Sequence, residues 1–560
     1  MTALLQNQRH AELREKEQPV SAAYPFVHPC FDHQSQEWNE HRADASRAVF
    51  WEQGTGKTKL VVDNAGWLYS TGCIDGLLIL APDGVHRNWT VDEIPEHLPK
   101  ELLEKTKLFA YTTSKSGSKR HQRELEATIN HRGFAVLAMS YDAFMTPRGK
   151  QAAWDFLCKR KAKYVLDEPS GAVKNPKTDR TKSVVKSGQY AWFRRILDGT
   201  PITNSPFDIY APVQFLDGEF WKRHGFNSFL AFKNHFGVWR KRLNSFTGRE
   251  FHQLVGYRRL DELQEIIKPI STRVLKKDVL DLPEKLYTKW YVELNSEQER
   301  VYKDLVNQYY ASLPQRVPCV ACGASGQQVD PETGNLFPCE ICYGTGEMYD
   351  SVTAELTITR LLRLQQVVCG YVPTDYGDEP VALLGDVNPR LQAAVEFVDS
   401  CKHKGIIWAR FQMDVDLLAD RLRKEGFRVA TYDGRTSDDH RDQAKWRFQG
   451  RKPVMERGKR VAWEEIPESE QIDWFIGNPA AAATGLTLTA AESVLYYSNT
   501  FKLRERLQSE DRAHRIGQRK NVNYCDIITP GTIDEKLVRA LRNKLDVASK
   551  ILGDDIKEWI

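Results

Sequence analysis

Net charge is nearly absent from this 560-residue chain: 79 Lys and Arg stand against 75 Asp and Glu, +4 in all. A global basic field therefore does not announce a nucleic-acid partner, and any phosphate contact must come from a local surface. No apolar run approaches the ~18 residues needed to span a membrane, and Met1 to Pro19 is polar, of mixed charge and without a signal-peptide core. Long low-complexity tails and repeats at solenoid spacing are missing as well. Cysteines number only ten, and six of them (Cys30, Cys73, Cys158, Cys369, Cys401, Cys525) are scattered like the thiols of a reducing compartment. With 41% apolar and 28% charged residues, the chain has an ordinary globular balance and room for two or three domains. The expectation is an intracellular protein whose first twenty residues form a flexible or loosely docked helix.

What is present begins with Phe50-Trp51-Glu52-Gln53-Gly54-Thr55-Gly56-Lys57-Thr58. Gly54, Thr55 and Gly56 make a turn whose backbone N–H groups can cradle phosphates, Lys57 suits β/γ oxygens, and the Thr58 hydroxyl suits Mg²⁺. The string lacks full eight-residue Walker spacing and is a short match by itself; its context is what supports it. An apolar strand, Ala48 to Trp51, leads in, and Lys59-Leu60-Val61-Val62 opens a helix. A second strand, Tyr164-Val165-Leu166, runs into Asp167-Glu168. Acids at the carboxyl end of a buried parallel strand lie where nucleotides bind, so Asp167 can hold Mg²⁺ through water and Glu168 can orient or deprotonate an attacking water. Alone, such a pair is more often a loop start or helix cap. Farther on, Arg512 and Arg515 stand three apart on one helical turn beside Gln508 and Asp511, where the bland reading is a solvated basic face.

The order of these strings resembles helicase superfamily two, and within it the Swi/Snf-like DNA-dependent ATPases and translocases. Asp32-His33-Gln34 looks like the adenine-reading segment and Gly54 to Thr58 like motif I. Leu77 to Pro82 with Asn88-Trp89, and Val136 to Tyr141, look like motifs Ia and Ib. Asp167-Glu168 resembles motif II, Gly199 to Asn204 motif III, Arg273 to Val279 the lobe connector, and Lys404 to Ser437 motif IV and the segment just beyond it. Thr484 to Ala491 resembles motif V and Gln508 to Gln518 motif VI.

The resemblance implies an α/β fold of two RecA-like parallel-sheet lobes with helical protrusions, ATP and Mg²⁺ in the cleft, and double-stranded DNA as partner. It puts Lys57, Asp167, Glu168, Arg512 and Arg515 in catalytic roles, with Gln34, Gly54, Thr55, Gly56, Lys57, Thr58, Gly485 and Gln508 against the nucleotide. An arginine reaching across the cleft would stabilise charge on the transferring phosphoryl group. Two departures stand out. The usual motif II ends in histidine, which couples the ATP site to motif III and the DNA track, whereas this chain has Pro169-Ser170; and Gln53 replaces an acid that many members carry before the first glycine.

A second signal lies between the lobes. Cys319-Val320-Ala321-Cys322 and Cys339-Glu340-Ile341-Cys342 are two CxxC pairs sixteen residues apart, each followed by glycines. Four thiolates so spaced can close a tetrahedral, structural Zn²⁺ site. A redox dithiol needs a thioredoxin-like context that is absent here, while an iron–sulfur cluster stays open on thiols alone. The Cys339 to Gly346 half reads CxxCxGxG, like one unit of the DnaJ-type zinc module.

The organisation expected is a terminus over 1–20, lobe 1 over 21–272, a connector with helical region over 273–388 containing the zinc insertion 316–348, and lobe 2 over 389–560. Tyr210 to Phe236 is an aromatic-rich helical protrusion whose rings at near-helical spacing read as core before they read as a base-stacking platform. Gly450 to Glu470 reads as a charged surface loop. Candidate phosphate contacts are Lys159-Arg160-Lys161 with Lys163; Lys174 with Lys177, Arg180 and Lys182; and Trp239-Arg240-Lys241-Arg242, each equally readable as a solvated face.

Three functions fit: an ATP-driven translocase on duplex DNA, a strand-separating helicase, and a nucleic-acid- or protein-binding module on a catalytically weak motor fold. No wedge is evident in the sequence. The absence of chromatin-reader modules points to a prokaryotic or viral source, a cytoplasmic setting, and DNA replication, recombination or repair. A monomer is the working expectation.

Overall fold

In the computed structural model, the described residues are 24–554, apart from 244–248, 309, 320, 330–335, 340–341, 354–356, 376–380, 457–458 and 482–485. The expected flexible terminus, and Gly485 of the motif V string, lie outside them. Two parallel sheets dominate, each wrapped by helices, so the two-lobed α/β expectation holds.

The first sheet has seven strands in the order Thr106–Ala110, Phe134–Ser140, Gly76–Ala81, Ala162–Asp167, Phe193–Leu197, Ser46–Trp51 and Ser271–Val274, all parallel. Its central strands read as nearly unbroken apolar runs because helices cover both faces; every residue of Gly76–Ala81, Phe134–Ser140 and Ala162–Asp167 is buried. Two apolar clusters form, one per face. The first joins Phe50, Leu78, Leu137 and Leu166 to Phe156, and the second joins Trp51, Ile79, Val136 and Val165 to Trp89. Each large apolar side chain so removed from water contributes about 1.5–3 kcal/mol.

The second sheet runs Lys285–Tyr291, Val522–Ile528, Ser493–Tyr496, Gly405–Trp408, Trp474–Gly477 and Val429–Tyr432, again all parallel. Its edge strand, Lys285–Tyr291, comes from the connector, before residue 389, just as Ser271–Val274 at the edge of the first sheet adjoins the 272/273 boundary. The chain thus passes from one sheet edge to the other within about a dozen residues. It crosses again at the end: in the 20-residue helix Ile533–Leu552, Leu537 and Leu541 pack with Leu503 of the second lobe, whereas Ala548 and Ile551 join Leu263 and Ile267 in the first lobe's core.

Excursions leave this frame. After helices Tyr210–Leu216, Phe220–Arg223 and Phe229–Phe236, with Trp221, Phe226, Phe232 and Phe236 buried as core, the first-lobe protrusion continues as an antiparallel hairpin, Gly237–Leu243 with Glu250–Tyr257. The stretch Gly450 to Glu470 is likewise a hairpin, Arg451–Glu456 with Lys459–Glu465, and not the loop expected from its charge. Alternation in Val454, Ala462 and Trp463 is broken by a register shift, which hides a strand pattern beneath the charged residues. The cysteine segment is framed by Tyr310–Pro318 paired with Glu347–Thr353 and encloses a short hairpin, Gln327–Val329 with Leu336–Pro338.

Candidate active site between the lobes

The strand Ser46–Trp51 ends at the phosphate loop, and helix Lys57–Ser70 begins there, with Gly56 at its N-cap. Gly54 and Gly56 take φ of 81° and 84°, a region that costs a residue with a Cβ. Space compounds the demand at Gly56, where a Cβ would lie 2.3 Å from the Gln34 amide nitrogen. Gln34 Nε2 donates to the Gly56 carbonyl at 2.9 Å, and its Oε1 accepts from the Phe31 N–H at 3.0 Å. The adenine-reading candidate is thus brought to the phosphate loop, fully buried and engaged at both ends of its amide.

Lys57 is buried, and its ammonium donates to the carbonyls of Trp51 at 2.8 Å and Glu52 at 3.1 Å. Burial lowers its pKa, partly offset by the charges of Glu168 and Asp167. The loop at the start of this helix therefore holds a desolvated cation, a setting suited to polyphosphate. Thr58 follows on the first helical turn, half-buried.

Asp167 and Glu168 emerge from the carboxyl end of Ala162–Asp167. Asp167 accepts from the Trp89 indole N–H at 3.0 Å, and burial followed by the neighbouring Glu168 charge raises its pKa to about 7. A carboxylate so crowded gains from a cation beside it, and with the Thr58 hydroxyl it offers the hard oxygen donors that suit Mg²⁺. Glu168 sits in left-handed backbone, φ 52° and ψ 48°, which turns its side chain into the cleft. There it accepts from Gln53 Nε2 at 3.4 Å and, across the cleft, from Gln508 Nε2 at 3.1 Å.

Helix Leu503–Ala513 delivers Gln508, Asp511 and Arg512 from the second lobe, and Arg515 follows two residues past its end, not on the same helical turn as expected. Arg512 donates to the Leu486 carbonyl at 3.3 Å; Arg515 donates to the same carbonyl at 3.1 Å and to Thr487 Oγ1 at 3.0 Å. Gly54 of the phosphate loop faces the Arg515 side chain, 3.8 Å from Arg515 Cβ to an added Cβ. Burial, then the Arg515 charge, lowers Arg512 to about 10, and its Nε is buried without a partner among the described residues. Arg515 thus lies against the phosphate loop, and the two desolvated guanidinium groups share the Leu486 carbonyl, a setting suited to an anion. Lys276 fixes the helix: its Nζ donates to Asp511 at 2.6 Å and to the His514 carbonyl at 3.0 Å, while its backbone N–H donates to Glu52 at 2.7 Å. Burial pushes Asp511 up, but the Lys276 and Lys285 charges overcome it and hold the carboxyl at about 2.

Several participants escaped the sequence reading. Trp89 stands in the sequence only as part of a motif Ia string, Asp198 belongs to no motif string, and Arg504 lies one helical turn before Gln508 on the same face. Asp198 accepts from the backbone N–H of Ser170 at 2.8 Å and of Thr200 at 2.9 Å, pinning the turn after the acids. Helical spacing from Gln508 was the one available signal for Arg504. Among the basic clusters, Arg160 and Lys163 are buried; Arg160 donates to the carbonyls of Ile129, Asp75 and Gly133, and Lys163 to Asn64 Oδ1. Those two are internal scaffolding, whereas Lys159 and Lys161 of the same cluster, like Lys177 and Lys182, are exposed.

The four cysteines converge, their sulfurs all within 4.8 Å of one another. Cys319 and Cys339 sulfurs are 3.9 Å apart, and Cys322 and Cys342 sulfurs 3.7 Å. A Zn–S length of about 2.3 Å gives a tetrahedral edge of about 3.8 Å, so the donor set fits zinc. Gly326 and Gly346, at φ 73° and 75°, let the two knuckles close face to face; a Cβ would come within 2.4 Å of the Gly344 carbonyl and 2.5 Å of the Ala324 carbonyl respectively.

Residues 8–333 match the model of the SNF2-related domain, and residues 390–517 that of the helicase conserved C-terminal domain. Over 445 residues, the chain is 26% identical to the TATA-binding protein-associated factor MOT1 of Saccharomyces cerevisiae, covering 75% of this chain and 22% of that protein. An uncharacterized ATP-dependent helicase of Mycoplasma pneumoniae is 24% identical over 405 residues, 71% of this chain and 32% of the relative. The chain spans less than a third of the length of these two curated relatives. The SWI2/SNF2 ATPase core of Sulfolobus solfataricus, solved in complex with dsDNA, aligns at 20% identity and a TM-score of 0.36 over 95% of this chain and 94% of that one.

Proposed function

We propose, on the premise that this chain belongs to the SNF2-related family, that it is an ATPase motor that moves along or remodels double-stranded DNA. One observation carries the reading: Glu168 from the first lobe and Gln508 from the second meet at 3.1 Å, with Lys57 and the Arg512–Arg515 pair on opposite walls of the same cleft. In the proposed cycle, Lys57 leaves the Trp51 and Glu52 carbonyls for the β/γ oxygens of ATP, and Glu168 orients the attacking water. Arg512 and Arg515 move from the Leu486 carbonyl onto the phosphoryl group, where such arginines contribute roughly 10³ to 10⁵ in rate. Mg²⁺, held by Thr58 and Asp167, would neutralise phosphate charge. Because the two walls belong to different lobes, hydrolysis changes how tightly the lobes close, and a DNA strand touching both would be moved. Gly485 would join the nucleotide contacts from motif V.

A second reading, strand separation, is favoured by the exposed hairpin Gly237–Leu243 with Glu250–Tyr257. The register opposes Arg242 to Phe251 and Arg240 to Gln253, so two arginines and a 47%-exposed phenylalanine share one face. Guanidinium groups for phosphates beside a ring for bases form the composition that holds unpaired strands. The four cysteines would hold a structural Zn²⁺. A prokaryotic or viral cytoplasmic setting is proposed as well, with DNA replication, recombination or repair as the process and a monomer as the working unit; of the two relatives named above, one is bacterial and one is from yeast.

The experiment is a steady-state ATPase assay without nucleic acid and with single-stranded DNA, duplex DNA or RNA, with Glu168→Gln as the blank. Stimulation chiefly by duplex supports the translocase; stimulation by single strands that vanishes in Arg240→Ala/Arg242→Ala/Phe251→Ala supports strand separation. Turnover indifferent to every nucleic acid would overturn both.

A further inference from the structure

The segment after the catalytic acids carries no conventional link to the second lobe. Ser170 is buried, and its hydroxyl has no hydrogen-bond partner among the described residues. The serine acts only through its backbone, whose N–H donates to Asp198. Over this turn lies the guanidinium of Arg504, from the opposite lobe, with Nη2 3.8 Å from Glu168 Oε2; Arg504 and Glu168 side chains are only 19% and 13% exposed. Gly171 makes room for it, since a Cβ there would stand 1.8 Å from Arg504 Nη1. Backbone freedom is not the reason for this glycine, which lies outside the positive-φ set. Arg504 and Gln508 are four apart on helix Leu503–Ala513, so both reach Glu168 from one helical face.

We infer that Arg504 is a positioning residue that relays the setting of the second lobe to the Glu168 carboxylate and to the Glu168–Gly171 turn. Its charge draws the carboxylate toward the second lobe when the lobes close, and its plane rests on Gly171, so a shift of the helix moves acid and turn together. The family pattern does not supply this role, because there a histidine at the position of Ser170 makes the coupling. The inference rests on the reading of Glu168 given above.

The test measures kcat and KM for ATP at saturating duplex DNA, with the Kd of a fluorescent ATP analogue as a check on folding. Arg504→Ala should lower kcat about tenfold or more while KM and Kd stay within about twofold of wild type. Gly171→Ala, whose Cβ displaces the guanidinium, should show a similar fall, and Arg504→Ala/Gly171→Ala should fall no further than Arg504→Ala alone. Arg504→Lys, retaining charge without the planar fork, should recover part of the rate. An Arg504→Ala kcat within twofold of wild type, a loss confined to KM, or additive single losses would overturn the inference. Wild type that no nucleic acid stimulates would instead refute the proposed function, and the Arg504 role with it.

Discussion

The cleft and the four-cysteine module both gather groups that are costly to bury, yet they differ in what holds them. In the cleft, Lys57, Asp167, Glu168 and Arg512 are supported by two thick lobes with apolar clusters on the faces of their sheets. Among the described residues, the module's own buried cluster consists of Cys319, Cys339 and Cys342, with Cys322 and Met348 against it. Desolvated charge on a sturdy frame lets a site wait for its ligand; a knot of thiols on a two-stranded frame depends far more on its ligand to hold together.

The contrast is tested most severely by removing the metal from the module. Structural zinc contributes about 10–16 kcal/mol of apparent binding free energy in small domains. Cys319→Ser/Cys322→Ser, or chelation, should therefore release one zinc per chain by atomic absorption and unfold the module, while the main thermal transition of the lobes persists. Wild-type protein with no metal would end the zinc assignment.

Next come the cleft arginines. Arg512→Ala or Arg515→Ala should cost roughly 10³ to 10⁵ in kcat, about 4–7 kcal/mol, with ATP affinity nearly intact; a defect in affinity alone would deny them the role across the cleft. Beneath them Arg506, fully buried, donates to Glu510 at 2.9 Å and to both oxygens of Asp526. Removing it takes the guanidinium from the buried Asp526 carboxylate, while Glu510 keeps Lys285 and Tyr287, so Arg506→Ala should destabilise the second lobe by about 3–5 kcal/mol in urea. Loss under 1 kcal/mol would show a frame too soft to hold desolvated charge in waiting.

The smallest expected effect concerns pH. Asp511, held at about 2 against an ordinary 3.8, stabilises the folded state above its unfolded pKa and loses that contribution as pH falls through the folded value. The unfolding free energy of wild type should exceed that of Asp511→Asn by about 2 kcal/mol at neutral pH, with the gap shrinking between about pH 5 and 2. A gap that does not change with pH would place the effect in packing.

Legibility in the sequence followed the range of the interaction. Gly54 to Thr58, Asp167-Glu168 and the two CxxC pairs are short strings whose chemistry depends on spacing along the chain, and the structure brings each set together. Lys285–Tyr291 was missed as a strand of the second sheet because its partner, Val522–Ile528, lies more than two hundred residues away. Arg160 and Lys163 looked like a basic surface because burial depends on neighbours such as Asn64 that no local pattern contains. Arg504 has meaning only once the lobes face each other.

The chain crosses between the lobes twice, at the connector and again in helix Ile533–Leu552, and Arg273 of the first crossing is clamped to Asp554 beyond the second at 2.9 and 2.8 Å. These crossings border a cavity of about 560 Å³ behind Gln53 and Gln508. Two bodies fastened along one margin behave as a door on a hinge: they swing about that margin but resist sliding and twisting. Most of the travel then falls at the free margin, so that a small change at the phosphates becomes a larger displacement far from them, always along the same arc.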